Sequence, residues 1–298
     1  MSLNLDYLSK KFDKNFVSYK KIYDGFDNNI FVLLDNTGYK YIFRKALRDK
    51  STQDMIFEKQ FSDHLLQNNI PVRKIICAGS EALLEFCEGT TLTPIEITSQ
   101  MAFNGGTMLA MFHKAAKNFS SSDLPKRKID SELLRAVSIQ EKIKTKHTDG
   151  ADFIQSIDKL LQLETFKKND IQIIHNDFRV QNVLFQQDNI SAILDFDWSC
   201  IGNPLKDLAH AMVEWSFPDG GKFNHDIFRS FFQGYASVVP GINIEELRFW
   251  IAFSCVSDTA TYLCDTIDET WNRGKIVSWM YSKYLFFDSQ DIAKLTEQ

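Results

Sequence analysis

Between Tyr19 and Phe86 the chain runs in short apolar stretches: "YKKIYDG", "IFVLLDN" and "YKYIFRKAL" are rich in β-branched and aromatic residues. Asp24-Gly25 and Asn36-Thr37-Gly38 punctuate them, a pattern that predicts an antiparallel meander. The period then changes. In "STQDMIFEKQFSDHLLQNN" Met55, Phe57, Phe61, Leu65 and Leu66 recur at helical intervals, with Ser51 as N-cap and a stop at Asn68-Asn69 before Pro71. "VRKIICAG" and "ALLEFCEG" supply two more strands.

After Gly89 helical patterns dominate, over residues 94 to 119, 131 to 147, 151 to 166 and several segments from 206 onward. Only 171 to 198 interrupts them, with the apolar runs "IQIIH", "NVLFQ" and "SAILDF". The layout is α+β and bilobal: a β-rich N-terminal lobe with one helix over 1–88, a hinge near 85–88, and a largely helical lobe holding a hairpin over 89–298. No internal repeat or low-complexity tract is present, and "NFSSSDLPKRK" is the evident loop.

A chain of 298 residues, 44% hydrophobic with 25 Phe, has enough apolar mass for a large aromatic core. The net charge of −5 offers no basic field for a phosphate backbone, so no nucleic-acid partner is expected. The five cysteines are scattered in apolar surroundings without CxxC spacing, which reads as buried thiols in a reducing compartment and gives structural zinc no support. "MSLNLDYLSKKFDKNF" lacks the apolar segment of a secretory signal, and no stretch is long enough to span a bilayer. No membrane association and a cytoplasmic location are expected.

The chemistry concentrates in "IIHNDFRVQNVLF", residues 173 to 185, where His175, Asp177, Arg179 and Asn182 sit between apolar runs. If 183–185 and 192–194 pair as a hairpin around "QQDN", Asn182 and Asp195 stand side by side at its open end. Oxygen ligands beside a third carboxylate suit a hard cation such as Mg2+, which leaves most of its coordination to water and phosphate. A loop of form HxDxxxxN followed by a metal-binding Asp is the kinase arrangement for phosphoryl transfer. The bland alternative is turn capping, for which Asp and Asn are favoured at strand ends.

"HNDFRVQNVLF", "AILDFDWSCIGNPLKDLA", "FEKQFSDHLLQNNIPV", "LLEFCEGTTL" and "GTMLAMFHKAAKNF" together resemble the aminoglycoside phosphotransferase and choline kinase family, which has the protein kinase-like fold. The resemblance spans most of the chain. It implies an enzyme using ATP, or GTP, with Mg2+. It implies Asp177 as catalytic base, Asn182 and Asp195 as metal ligands, His175 as the residue fixing the loop, and Asp207 as its buried brace. Arg179 would steady the transferring phosphate. Arg44 would lie on the nucleotide phosphates with Glu58 as its helix partner, while strand alternation sends Lys45 to the opposite face. Gly25 would give backbone contacts to the nucleotide, and Glu85, Phe86 and Cys87 would meet the base at the hinge. Asn176 stands where the family usually has Gly, and Asn tolerates left-handed backbone.

For the acceptor, a small molecule with a hydroxyl is expected, its pocket in the helical lobe. "DTATYLCDTIDETW" spaces Asp258, Tyr262, Asp265 and Glu269 along one helix face, which suits an amine acceptor or is simply a solvated face. Trp215, Asp219 and Trp271 are further candidates, and homoserine or sugar acceptors are open. The competing readings are a nucleotide-binding pseudokinase, motivated by the single Gly25, and a protein kinase, which the lack of an APE-like anchor after "DFD" disfavours.

Overall fold

The computed structural model describes residues 3–24, 28–125, 127–162, 171–217, 222–269, 274–276 and 279–297. Helix α1 (Leu5–Phe12) precedes strands β1 (Phe16–Asp24), β2 (Asn28–Asp35) and β3 (Lys40–Ala46). Helix α2 (Thr52–Gln67) and strands β4 (Ile75–Cys77) and β5 (Glu81–Glu85) follow. The strands form one antiparallel five-stranded sheet in the order β1-β2-β3-β5-β4. Alternation sorts its side chains. Phe31, Leu33, Phe43 and Leu83 pack with Leu8 and Phe12 of α1, while Ile42, Ile75, Ala82 and Leu84 cluster separately with Ile30, Val32 and Phe86. The charged N-terminal segment thus contains a helix that its sequence pattern did not announce, capped by Asn4 and buried through only Leu8 and Phe12.

Helix α2 begins as its sequence dictates: Ser51 accepts from the Asp54 N–H, and Asp54 accepts from the Ser51 N–H, a reciprocal capping box. Beyond β5, the helices are α3 (Ser99–Ala116), α4 (Ser131–Ser138), α5 (Gln140–Lys146), α6 (Gly150–Gln162), α7 (Pro204–Ser216), α8 (His225–Val238), α9 (Ile244–Thr266), α10 (Trp279–Asp288) and α11 (Ile292–Thr296). The helical pattern over 131–147 breaks at Ile139, which joins α4 to α5. Two small sheets interrupt the helices: β6 (Gln172–Ile174) with β9 (Cys200–Gly202), and the hairpin β7 (Val183–Gln186) with β8 (Asn189–Ile193). Strand β9 lies between "DFD" and helix α7.

Helices α3 and α8 cross at two glycines. A Cβ on Gly106 would lie 1.9 Å from the Phe231 carbonyl oxygen, and one on Gly234 would lie 2.0 Å from that of Phe103, so only hydrogen permits this approach. Cys200 and Cys255 are buried, but Cys77 is exposed and Cys87 and Cys264 are half-buried, so the reading of all five as buried thiols is wrong for three. Among the described residues no helix is long and apolar enough to cross a membrane.

Candidate active site

The loop 175–182 hangs between β6 and the hairpin, and its backbone is held from below. Asp207, in the first turn of α7, accepts the N–H groups of His175 at 2.7 Å and Asn176 at 2.8 Å. His113 Nε2 meets the same carboxylate at 3.0 Å and is itself 2.8 Å from the Tyr235 hydroxyl. Burial alone would raise the Asp207 carboxyl, but the hydrogen bond and charge of His113, with Lys206, bring it down to about 2. Asp207 therefore works as a buried anion, in place of the helix-terminal carboxylate its position alone would suggest.

Asn176 adopts φ +64°, a left-handed turn that Asn accepts at low cost. Its amide donates to the Trp198 carbonyl at 3.0 Å and accepts from Lys206, which ties the loop to the segment after β8. His175 donates through Nε2 to the Leu194 carbonyl at 2.9 Å, so Nδ1 accepts from the Asp177 N–H at 3.3 Å. Burial holds this imidazole below its ordinary pKa, and it remains the neutral tautomer those partners require. A chain of rings supports it: Phe196 is 5.2 Å from His175, and Phe61 of α2 stands 5.7 Å from both Phe112 and Phe196.

Asp177 is 9% exposed. Its Oδ2 accepts from Asn182 Nδ2 at 2.7 Å and Arg179 Nη2 at 3.0 Å, and the same Asn182 nitrogen holds the Asp177 carbonyl at 2.9 Å. Burial pushes the Asp177 carboxyl up, with Arg179 opposing. Val183 pairs with Ile193 in the hairpin, and the Leu194 N–H donates to the Asn182 carbonyl at 2.9 Å, which brings Asn182 and Asp195 together. Asp195 has φ +60° and lies beside Asp197, whose N–H reaches its Oδ1 at 3.2 Å. Burial, then the Asp197 charge, push Asp195 up to about 7 against the pull of Arg44.

Across from this hairpin, β3 turns Arg44 inward and Lys45 outward toward Glu81. Arg44 forks onto Glu58 of α2, with Nη2 to Oε2 at 2.6 Å. Burial alone would raise Glu58, but Arg44 and Lys50 hold it at about 2. Glu85 ends β5 opposite Tyr41, Phe86 lies under the Lys40 ammonium at 4.8 Å, and Cys87 is a half-buried thiol pushed up by burial. The chain then crosses to the hairpin, where Thr90 and Phe185 exchange both backbone hydrogen bonds at 2.9 Å. Gly25 lies outside the described residues.

The expected acceptor face divides. Asp258 is half-buried against the buried His210, 3.3 Å away, and its charge is felt at Asp177; Tyr262 is half-buried one turn on. Asp265 instead points out and pairs with Arg135 at 2.7 Å, and Glu269 is exposed, so the structure does not gather these two with Asp258. Trp215 is no pocket residue: it is fully buried, stacked on Phe178 with its indole N–H on the Phe178 carbonyl at 2.9 Å. Asp219 and Trp271 lie outside the described residues.

Several residues at the site escaped the sequence reading. Lys50 contacts Glu58 at 3.3 Å and also Asp197, while Asn28 donates to Asp197 at 2.8 Å. The Glu214–Lys283 pair at 2.6 Å and His210 lie near Arg179 and Asp258. Of these only Asp197, two residues past Asp195, carried a local signal; the others come from distant elements. Among the described residues no three His, Cys, Asp or Glu side chains converge on a metal position.

The chain matches the phosphotransferase enzyme family over residues 18–240. It is 28% identical over 234 residues to a homoserine kinase of Methylocella silvestris, covering 74% of this chain and 71% of that one. In structure it is similar to an amicoumacin kinase solved with AMP-PNP, Ca2+ and Ami, with TM-score 0.73, 15% identity and coverage of 98% of this chain and 96% of that one. A choline kinase from Cryptosporidium parvum Iowa II is similar with TM-score 0.66, 15% identity and coverage of 93% and 89%. With this loop, hairpin and inward-facing Arg44–Glu58 pair on the protein kinase-like fold, the chain belongs to the phosphotransferase enzyme family and is a small-molecule kinase.

Proposed function

We propose that the protein transfers the γ-phosphoryl group of ATP, with Mg2+, to a hydroxyl of a small molecule, with Asp177 as the base. The observation that carries this reading is the Asp177 carboxylate itself. Both side-chain donors to it, Asn182 and Arg179, sit on Oδ2, which leaves Oδ1 to accept from an incoming hydroxyl in this reading. Asp177 takes the hydroxyl proton as the new O–P bond forms and the bond to the leaving ADP breaks. Its upward-shifted carboxyl is a better proton acceptor than a solvated one.

The residues present fit a hard divalent cation. The donor set is all oxygen, and Asp195 and Asp197 form a half-buried pair of acids whose mutual repulsion a cation would relieve. Asn182, its amide nitrogen on Asp177, would offer its carbonyl oxygen beside Asp195. When bound, such a cation would supply positive charge that neutralises the nucleotide phosphates. Arg44, oriented by Glu58, would hold the phosphates from the sheet side, and Arg179 would steady the transferring group. Residues 85–88 serve as the hinge between lobes 1–88 and 89–298, with the base against their backbone. Five free cysteines fit a reducing, cytoplasmic setting.

For the acceptor, the surroundings of Asp177 carry both signs: Asp258 and Glu214 against Arg179, His210 and Lys283. That mixture suits an acceptor with both an ammonium and a carboxylate, and the relatives named homoserine kinase make homoserine the first to test. Magnesium-dependent phosphate transfer is measured over homoserine, choline, aminoglycosides and sugars. Turnover highest with homoserine supports the reading. ATP binding without turnover on any acceptor would favour a nucleotide-binding protein without catalysis.

A further inference from the structure

We propose that Lys50 is a tethered counter-cation that competes with the divalent ion for Asp197, so that metal loads weakly before nucleotide and tightly with it. The inference rests on the proposed kinase reading. Asp197 receives Asn28 Nδ2 on Oδ2 at 2.8 Å and the Lys50 ammonium on Oδ1. Both donors belong to the sheet side, Asn28 at the start of β2 and Lys50 just before α2. Asp197 belongs to the segment after the hairpin, so the contact spans the cleft.

Lys50 is surplus to the structural ion pair. Glu58 is already forked by Arg44 on both oxygens, and Lys50 reaches it only at 3.3 Å. An ammonium on a flexible four-carbon stem can redirect where a forked guanidinium cannot. Space for this exists: Lys50 lines a cavity of about 410 Å3 together with Arg48, Arg127, Trp198 and Ser199. The Asn28 side chain, 5% exposed, has its Oδ1 without a hydrogen-bond partner. That leaves a hard oxygen on the very carboxamide that holds Asp197.

An ammonium seated on Asp197 cancels one of the two charges that would attract a divalent ion to the Asp195–Asp197 pair, and repels the ion itself. Like charges at contact distance cost about tenfold or more in affinity even at high effective dielectric. Nucleotide phosphates offer Lys50 a stronger anionic partner, and its departure would remove the contact cation from Asp197 Oδ1, with Arg44 4.0 Å away and Asn28 still on Oδ2. Metal and nucleotide are then thermodynamically coupled through one side chain.

The test is Mn2+ binding to the full chain, read by the electron paramagnetic resonance of free Mn2+, without and with AMP-PNP. Lys50→Met should bind Mn2+ about tenfold tighter than wild type without nucleotide, and the enhancement by AMP-PNP should shrink by the same factor. Lys50→Gln should act in the same direction, and Lys50→Arg should stay near wild type. Unchanged or weaker Mn2+ binding by both neutral variants overturns the proposal. Asp195→Asn separates the two layers. If it leaves Mn2+ binding intact, the metal reading fails; if it abolishes binding while the Lys50 variants are silent, only the competition fails.

Discussion

Asp207 accepts the His175 backbone N–H at 2.7 Å, so a carboxylate on helix α7 fixes the loop that presents Asp177 two residues later. A neighbouring bond to Asn176 at 2.8 Å makes the anchor two-pronged. Its charge matters because two buried N–H groups point at it.

The first prediction concerns this anchor. Asp207→Asn places an amide donor against backbone donors and should destabilise the fold by about 2–4 kcal/mol in urea unfolding. The pH dependence has a definite sign. The folded carboxyl sits at about 2, below its ordinary value of 3.8, so its contribution is full above that value and lost as pH falls from 3.8 toward 2. Wild type and Asp207→Asn should converge in stability over that acid window by about 2 kcal/mol.

Asp195 should show the opposite trade. Its folded carboxyl is raised to about 7, so the stability of the metal-free protein falls as pH rises from 3.8 through 7 and the acid is forced to ionise beside Asp197. Asp195→Asn should therefore raise the metal-free Tm at pH 8, by an amount on the order of 2 kcal/mol in stability, while abolishing turnover. A lower Tm for the variant at pH 8 would contradict the assignment.

Trp215 supports the loop from within the core. Trp215→Phe keeps the stack on Phe178 but leaves the Phe178 carbonyl without its indole donor. We expect a loss of about 1–3 kcal/mol in unfolding free energy. Turnover should fall more than ATP affinity, as measured by steady-state kinetics beside equilibrium nucleotide binding.

The proposed acceptor wall includes a pH-dependent ion pair, His210 with Asp258. Burial opposes the charged imidazole, but Asp258 raises it above its ordinary value of 6.5. Its stabilising contribution is thus present below 6.5 and lost as pH rises through the folded value. Asp258→Asn should destabilise more at pH 6 than at pH 9 in urea unfolding, and should raise KM for the acceptor without raising KM for ATP.

Much of this was legible because it is local. The meander, helix α2 with its Ser51 cap, the hairpin and the spacing from His175 to Asn182 are each written in a single stretch of chain. Asp207 could be flagged from its place in "KDLA", yet its role as a charged anchor appears only with His113 and Tyr235 packed beside it. Lys50, Asn28 and Lys283 were invisible for the same reason, since each meets its partner across 69 to 169 residues of sequence. Helical spacing placed Asp258 and Asp265 on one face, but partners on other elements separated them: His210 draws one inward and Arg135 holds the other at the surface. Trp215 was misread because an aromatic after an acidic residue looks the same whether it lines a pocket or fills a core.

The most direct measurement is Asp177→Asn, assayed for phosphate transfer to its best acceptor and, separately, for ATP binding by calorimetry. A base that acts on the acceptor predicts transfer reduced by roughly a hundredfold to ten-thousandfold with ATP affinity nearly unchanged. Transfer that survives the substitution, or ATP affinity that falls in step with it, would contradict that role.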